Sequence, residues 1–303
     1  MIDICLLGCG GMMPLPNRWL AALLIRYNGK LILIDCGEGT QIPIKLAGWG
    51  FKTIQTFLCT HFHADHISGL PGFLLTLGNS DKNNNLNLYG PPGFRKIYEG
   101  LTVVCPELPY AVNITELSIN QVCRFNIDDL VIKSMPVEHT LPCLAYTIEL
   151  RRAGKFDVEK AKVNDIPMKY WSKLQKGEKI IEGKRIYEPN MVLGQERKGL
   201  KIAYCTDTRP IERIVDFVKE SDLFICEGNY GDIEKNEKAI NKKHMLFSDA
   251  ANLAKSANVK ELILTHFSPS LNIPEEHLEK TRNIFPNTYV GKNLLKRQLN
   301  FKE

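Results

Sequence analysis

The chain has 303 residues, 44% of them hydrophobic and 24% charged, with a formal net charge of +5. That composition is globular, and the length allows a substantial core, in one large domain or two, without a disulfide or metal staple. No apolar run approaches the ~18 residues of a membrane span, so no integral membrane insertion is expected. The opening MIDICLLGCGG carries Asp3 and no basic stretch, and so reads as a first strand and not a signal peptide.

The elements follow in chain order. Ile2–Leu7 is a strand, broken by Gly8-Cys9-Gly10-Gly11. Strands Leu20–Tyr27 and Lys30–Asp35 flank Asn28-Gly29, the strongest short hairpin signal. A helix from Thr40 to Ala47 precedes strand Ile54–Cys59, which runs directly into His61, and a further helix carries Phe73, Leu74 and Leu75. After the polar loop Asn79–Asn85 come strand Leu86–Tyr89, a helix from Phe94 to Leu101, and strands Val131–Pro136 and Leu144–Leu150 around His139. Strand Lys201–Cys205, a helix over 211–220, strand Leu223–Cys226, a helix over Ser248–Ala257 and strand Glu261–Leu264 complete the pattern. Strands and helices alternate in both halves, which predicts an α/β fold with two sheets and outer helices, a four-layer αββα sandwich.

Charge is uneven. Residues 151–201 hold 14 Lys/Arg against 7 Asp/Glu, whereas the remainder holds 25 against 27. This segment also has the weakest periodicity, and reads as an inserted basic arm within a single domain spanning 1–303, suited either to a polyanionic partner or to a solvated loop. The nine cysteines are scattered and form no Cys-x-x-Cys, so they read as reduced, buried thiols of a cytoplasmic protein.

The seven histidines carry the chemistry. Thr60-His61-Phe62-His63-Ala64-Asp65-His66 places three imidazoles and a carboxylate within six residues. Residues two apart in extended chain point the same way, so His61 and His63 can grip one divalent ion, while Asp65 and His66, on the following turn, can face a second. His139, Asp207 and His266 each follow a strand, where several strands converge at one sheet edge, and a carboxylate such as Asp207 can bridge two metals. Taken alone, His244 beside Lys242 and Lys243 reads as solvated, as does His277 in Glu-Glu-His-Leu.

HFHADH followed by Ile-Ser-Gly-Leu-Pro-Gly resembles the metallo-β-lactamase superfamily, and LGCGG, PNR, DCGEGTQ and TDTRP together resemble the ribonuclease Z branch over essentially the whole chain. The resemblance implies two zinc ions per subunit, with manganese or iron compatible. His61, His63 and His139 would bind one, Asp65, His66 and His266 the other, and Asp207 both. It gives Asp65 a general-base role, pairs His244 with Glu227 as a catalytic dyad on the phosphate or the leaving oxygen, and makes Asp35 a carboxylate that orients a ligand histidine. It implies an endonuclease that removes 3′ trailers from precursor tRNA and leaves a 3′-hydroxyl, working as a homodimer with no membrane association. In that frame the basic arm clamps tRNA through Lys155, Lys160, Lys162, Lys173, Lys176, Lys179, Lys184 and Arg185. The arm departs from the family's Gly-Pro-rich motif, having Ile-Pro-Met-Lys-Tyr-Trp-Ser-Lys instead; Tyr170 and Trp171 there either stack on nucleotide or anchor the arm by burial, and burial is preferred. Two other functions fit the same fold: a phosphodiesterase for small or cyclic phosphodiesters, and an RNA-binding protein without catalysis, which would need a damaged metal site.

Overall fold

The computed structural model describes residues 1–302. Contacts divide the chain into two compact units, Glu149–Leu200 and the remainder on either side of it. The first half of the chain runs β1 (Ile2–Gly8), β2 (Ala22–Tyr27), β3 (Lys30–Ile34), α1 (Gln41–Ala47), β4 (Ile54–Leu58), α2 (Ala64–Ile67), α3 (Leu70–Gly78), β5 (Leu86–Gly90), α4 (Phe94–Leu101), β6 (Val112–Glu116), β7 (Cys123–Ile127), β8 (Leu130–Val137) and β9 (Cys143–Arg152). The smaller unit holds α5 (Val158–Val163), α6 (Met168–Gln175) and the hairpin β10 (Ile180–Glu182) with β11 (Arg185–Tyr187). Then come β12 (Arg197–Cys205), α7 (Arg213–Val218), β13 (Leu223–Glu227), α8 (Asn236–Lys242), α9 (Phe247–Ser256), β14 (Leu262–Thr265), α10 (Leu278–Arg282), β15 (Thr288–Val290) and β16 (Leu295–Leu299).

These strands build two seven-stranded sheets, ordered β16-β1-β2-β3-β4-β5-β6 and β15-β14-β13-β12-β9-β8-β7. The expected pair of sheets with packed helices is present: α1 lies on β1, and α9 on β13 and β14. The Asn28-Gly29 hairpin forms as read, with both residues at positive φ (47° and 75°), as the mirror-image turn requires. β3 to β6 pair in parallel, as do β12 to β15. β3, β4, β13 and β14 are nearly continuous runs of buried side chains, the pattern of strands covered on both faces. Parallel strands end together at one edge, and ligand sites in α/β sheets form outside those carboxyl ends.

Several elements escaped the sequence reading. β6, β7, β15 and β16 lie toward sheet margins, where burial is partial and the apolar signal weak; β16 (Leu-Lys-Arg-Gln-Leu) pairs antiparallel with β1 across nearly the whole chain. His277, expected in solvent, packs over Gly231, where a Cβ would lie 2.2 Å from its ring, and its Nδ1 is 3.3 Å from Asp232.

The smaller unit has its own core of Ala161, Ile166, Leu174, Tyr187 and Val192, with Phe156, Tyr170, Trp171 and Met191 packed on it. Trp171 Nε1 donates to the Ile166 carbonyl across 2.9 Å, so Tyr170 and Trp171 anchor by burial. The basic side chains proposed for RNA are all exposed there. Three have local partners: Lys160 donates to the Leu193 carbonyl, Lys162 meets Glu159 at 2.9 Å, and Lys179 meets Glu188 at 3.0 Å.

Candidate metal centre

Five chain segments that follow strands meet at the carboxyl edge of the sheets. Asp35 follows β3, His61 to His66 follow β4, His139 follows β8, Asp207 follows β12, and His266 follows β14. Asp35, Asp207 and His266 each have a left-handed backbone (φ 61°, 49° and 57°) within two residues of the strand's end. Such residues are sparsely tolerated outside glycine, least unfavourably as Asp, Asn or His, and cluster at functional sites because surrounding structure must enforce them. Close backbone approach locks the loops together: Cys36 N–H donates to the His66 carbonyl and Gly69 N–H to the Cys36 carbonyl, at 2.7 and 3.0 Å. A Cβ on Gly69 would lie 1.9 Å from the Gly37 carbonyl oxygen, which is why the stretch after His66 needs glycine.

The ligand-type atoms converge in two groups. In the first, His61 Nε2 lies 3.0 Å from His63 Nδ1, and His139 Nε2 lies 3.1 Å from the same atom. Asp207 Oδ2 stands 3.7 Å from His61 Nε2 and 3.8 Å from His139 Nε2. In the second, His66 Nε2 and His266 Nε2 are 3.1 Å apart, and Asp65 Oδ2 stands 3.5 and 3.3 Å from them. Asp207 Oδ1 completes that group at 3.4 and 3.3 Å. Four ligands arranged tetrahedrally at zinc–nitrogen distance are separated by about 3.3 Å, so both spacings suit a divalent cation. Asp207 Oδ1 is buried with no hydrogen-bond partner, an acceptor that a cation would satisfy. The seven side chains the sequence singled out are therefore brought together, with one Asp207 oxygen turned to each group.

Electrostatics agree with the donor set. Burial disfavours the charged form of His61 and His139, holding His139 down at about 4, so both present neutral imidazole. Burial opposes charge on Asp65 and Asp207 too, but the surrounding imidazoles outweigh it and hold both carboxyls well below the usual carboxylate range. His66 is drawn the other way: despite burial, Asp207 and Asp35 favour positive charge on it. The site concentrates negative charge where a cation would sit.

Asp35 Oδ2 lies 2.8 Å from His66 Nδ1, and His66 Nε2 is the nitrogen turned toward His266. Thr60 holds it in turn, donating from its backbone N–H and its hydroxyl at 2.8 and 3.0 Å. The solvated reading of His244 fails, because its Nδ1 lies 2.9 Å from buried Glu227 Oε2 and its ring sits 5.3 Å from that of His139. Sequence reasoning missed three holders. Asn229 Nδ2 is 3.2 Å from His266 Nδ1 and donates to its carbonyl; Met12 N–H donates to Asp65 Oδ2 at 2.6 Å; Thr140 Oγ1 is 3.4 Å from His63 Nε2. Thr140 adjoins His139 in sequence, a signal that could have been used, whereas Met12 carries none. The groups open into a cleft of about 430 Å³, lined by Met12, His63, Asp65, His139, Asp207, Asn229, Tyr230, Lys238, Lys242, His244, His266 and Ser268 among others.

The chain is similar to known proteins along its whole length. It is 52% identical to the ribonuclease Z of Clostridium acetobutylicum, covering 100% of this chain and 99% of that one. It is likewise 52% identical to the ribonuclease Z of Clostridium kluyveri, with full coverage of both. The short form of human tRNase Z shares its fold at TM-score 0.70 and 22% identity, covering 99% of this chain and 100% of that one. A family model described as anti-Pycsar protein Apyc1 matches residues 2–99.

Proposed function

Because the chain belongs to the ribonuclease Z family, we propose that it is the metal-dependent endonuclease that removes 3′ trailers from precursor tRNA, leaving a 3′-hydroxyl. The observation that carries this reading is the pair of ligand groups sharing Asp207 at the floor of an open cleft. His61, His63 and His139 would hold one cation, Asp65, His66 and His266 the other, with zinc as the default and manganese or iron compatible with the same donors. Bound there, two divalent cations supply Lewis-acid polarisation of the phosphodiester and make water a competent nucleophile near neutral pH.

The protein's own groups do the rest. Asp65, ionised and fixed by the Met12 N–H, accepts a proton from the attacking water. Asp35 fixes His66, and Asn229 fixes His266, so the ligand rings are oriented before substrate arrives. His244, anchored through Nδ1 by Glu227, presents Nε2 as a proton donor to the departing 3′-oxygen or as a charge partner for the phosphorane oxygens. The exposed basic residues of Glu149–Leu200 fit a role in gripping tRNA phosphates, in a homodimer that acts in the cytoplasm. All nine thiols are free, which suits a reducing compartment. No helix among the described residues is long and apolar enough to cross a membrane.

A complete ligand set leaves the non-catalytic reading without its premise, and relatedness over the full length favours tRNA over small phosphodiesters. The test is incubation with precursor tRNA, mapping of the 3′ product, and metal analysis of the same preparation. Turnover of bis(p-nitrophenyl) phosphate with no cleavage of any precursor tRNA would return the assignment to a small-substrate phosphodiesterase.

A further inference from the structure

Between β13 and α9 the chain makes an excursion, residues 228–246, that contains α8 and returns through His244. Five of its residues, Asn229, Tyr230, Lys238, Lys242 and His244, line the same cleft as Asp65 and His266. Lys238 and Lys242 are four apart on α8 and so share one face, while the three acidic residues of the stretch, Asp232, Glu234 and Glu237, are absent from the lining. The next lysine in sequence, Lys243, is matched to a carboxylate, Glu138 at 3.6 Å. Among the described residues neither Lys238 nor Lys242 has a carboxylate partner. Lys238 Nζ instead lies 5.3 Å from the ring centroid of Tyr230, which is buried against Ala239 and Leu246. A carboxylate would neutralise the ammonium and repel an anion; an aromatic face steadies it and leaves its charge available.

We propose that Lys238 and Lys242 bind the RNA phosphates flanking the scissile bond, and that Tyr230 is the positioning residue for Lys238. This rests on the tRNA-endonuclease reading and deepens it, adding a substrate contact beside the metal centre and outside the basic segment 151–201. The charge count hides it, because this region of the chain is nearly neutral overall and only the fold brings Lys238 and Lys242 to the cleft.

The test uses the metal-loaded enzyme. Wild type, K238A/K242A, K238R/K242R and Y230F are compared on precursor tRNA at several salt concentrations, with bis(p-nitrophenyl) phosphate in parallel. In the double alanine variant KM for precursor tRNA is expected to rise about 10-fold, the scale of two lost phosphate contacts, and the slope of log kcat/KM against log salt to shrink by about 1.4. The arginine pair and Y230F should retain most of the wild-type KM, since both keep the charge or the aromatic face. Losses of equal size on both substrates, or an unchanged salt slope, overturn the inference while leaving the endonuclease reading standing. A wild-type enzyme that turns over the small diester and no precursor tRNA brings down that reading instead.

Discussion

His244 Nδ1 lies 2.9 Å from Glu227 Oε2, a contact between the loop after α8 and the last residue of β13. Glu227 is fully buried, and its other oxygen accepts the Thr208 N–H. The carbonyl of His244 is held as well, by the Arg209 guanidinium. Burial opposes charge on this imidazole, but Glu227 outweighs it through its charge and its hydrogen bond, raising the pKa to about 9. The ring therefore carries a proton across the neutral range.

An alkaline limit follows from that pair. A proton donor with a raised pKa is fully charged below it and lost as pH rises through it, so kcat should fall as the pH passes about 9. Glu227→Gln removes the negative charge, and the limb should move down toward the ~6.5 of free histidine. A kcat–pH profile of both proteins checks this; coincident alkaline limbs would show that His244 does not set the profile.

Metal removal should abolish turnover. Dialysis against a chelator is expected to eliminate hydrolysis of both RNA and bis(p-nitrophenyl) phosphate, with recovery on adding zinc. Asp207→Ala deletes the carboxylate common to both ligand groups and should lower kcat by roughly 10³-fold, the loss of a charge-stabilising centre. Elemental analysis of the variant should find fewer equivalents than in wild type; full loading with normal turnover would remove Asp207 from the site.

Asp35→Asn tests support for a ligand. The amide keeps the shape but loses the charge that fixes His66, so metal affinity should drop by about 10–100-fold. Competition against a zinc-binding dye measures it, and equal affinities would leave Asp35 a purely structural residue.

Gly11→Ala tests close approach. A Cβ there would meet the His266 ring at 2.7–2.9 Å, all three nearest atoms belonging to the imidazole. The ring or the loop must shift, and kcat should fall with loss of metal from the His66–His266 group, while far-UV circular dichroism stays that of the wild type. Retained metal and retained kcat would show that the loop yields freely.

Replacing residues 153–196 with a short Gly/Ser linker should raise KM for precursor tRNA far more than it lowers hydrolysis of bis(p-nitrophenyl) phosphate. Its exposed lysines would be lost together with their small core, and binding should become less sensitive to salt. Unaltered tRNA binding would assign recognition to the larger unit alone.

The sequence by itself determined the parts of this protein that are local. Two-residue and turn spacings dictated how His61, His63, Asp65 and His66 face, and Asn28-Gly29 closed a hairpin, because φ/ψ preferences act over a few residues. Resemblance supplied His244, Glu227 and Asp35, which neighbouring residues did not distinguish. Tertiary structure alone decided which distant groups share an atom-scale space: His66 and His266 are separated by 200 residues and meet at 3.1 Å. It also decided that β16 pairs with β1, that Met12 holds Asp65, and that Lys238 and Lys242 face the cleft. Strand order and loop approach are set by non-local packing, and a one-dimensional pattern records which face is apolar without recording what it will touch.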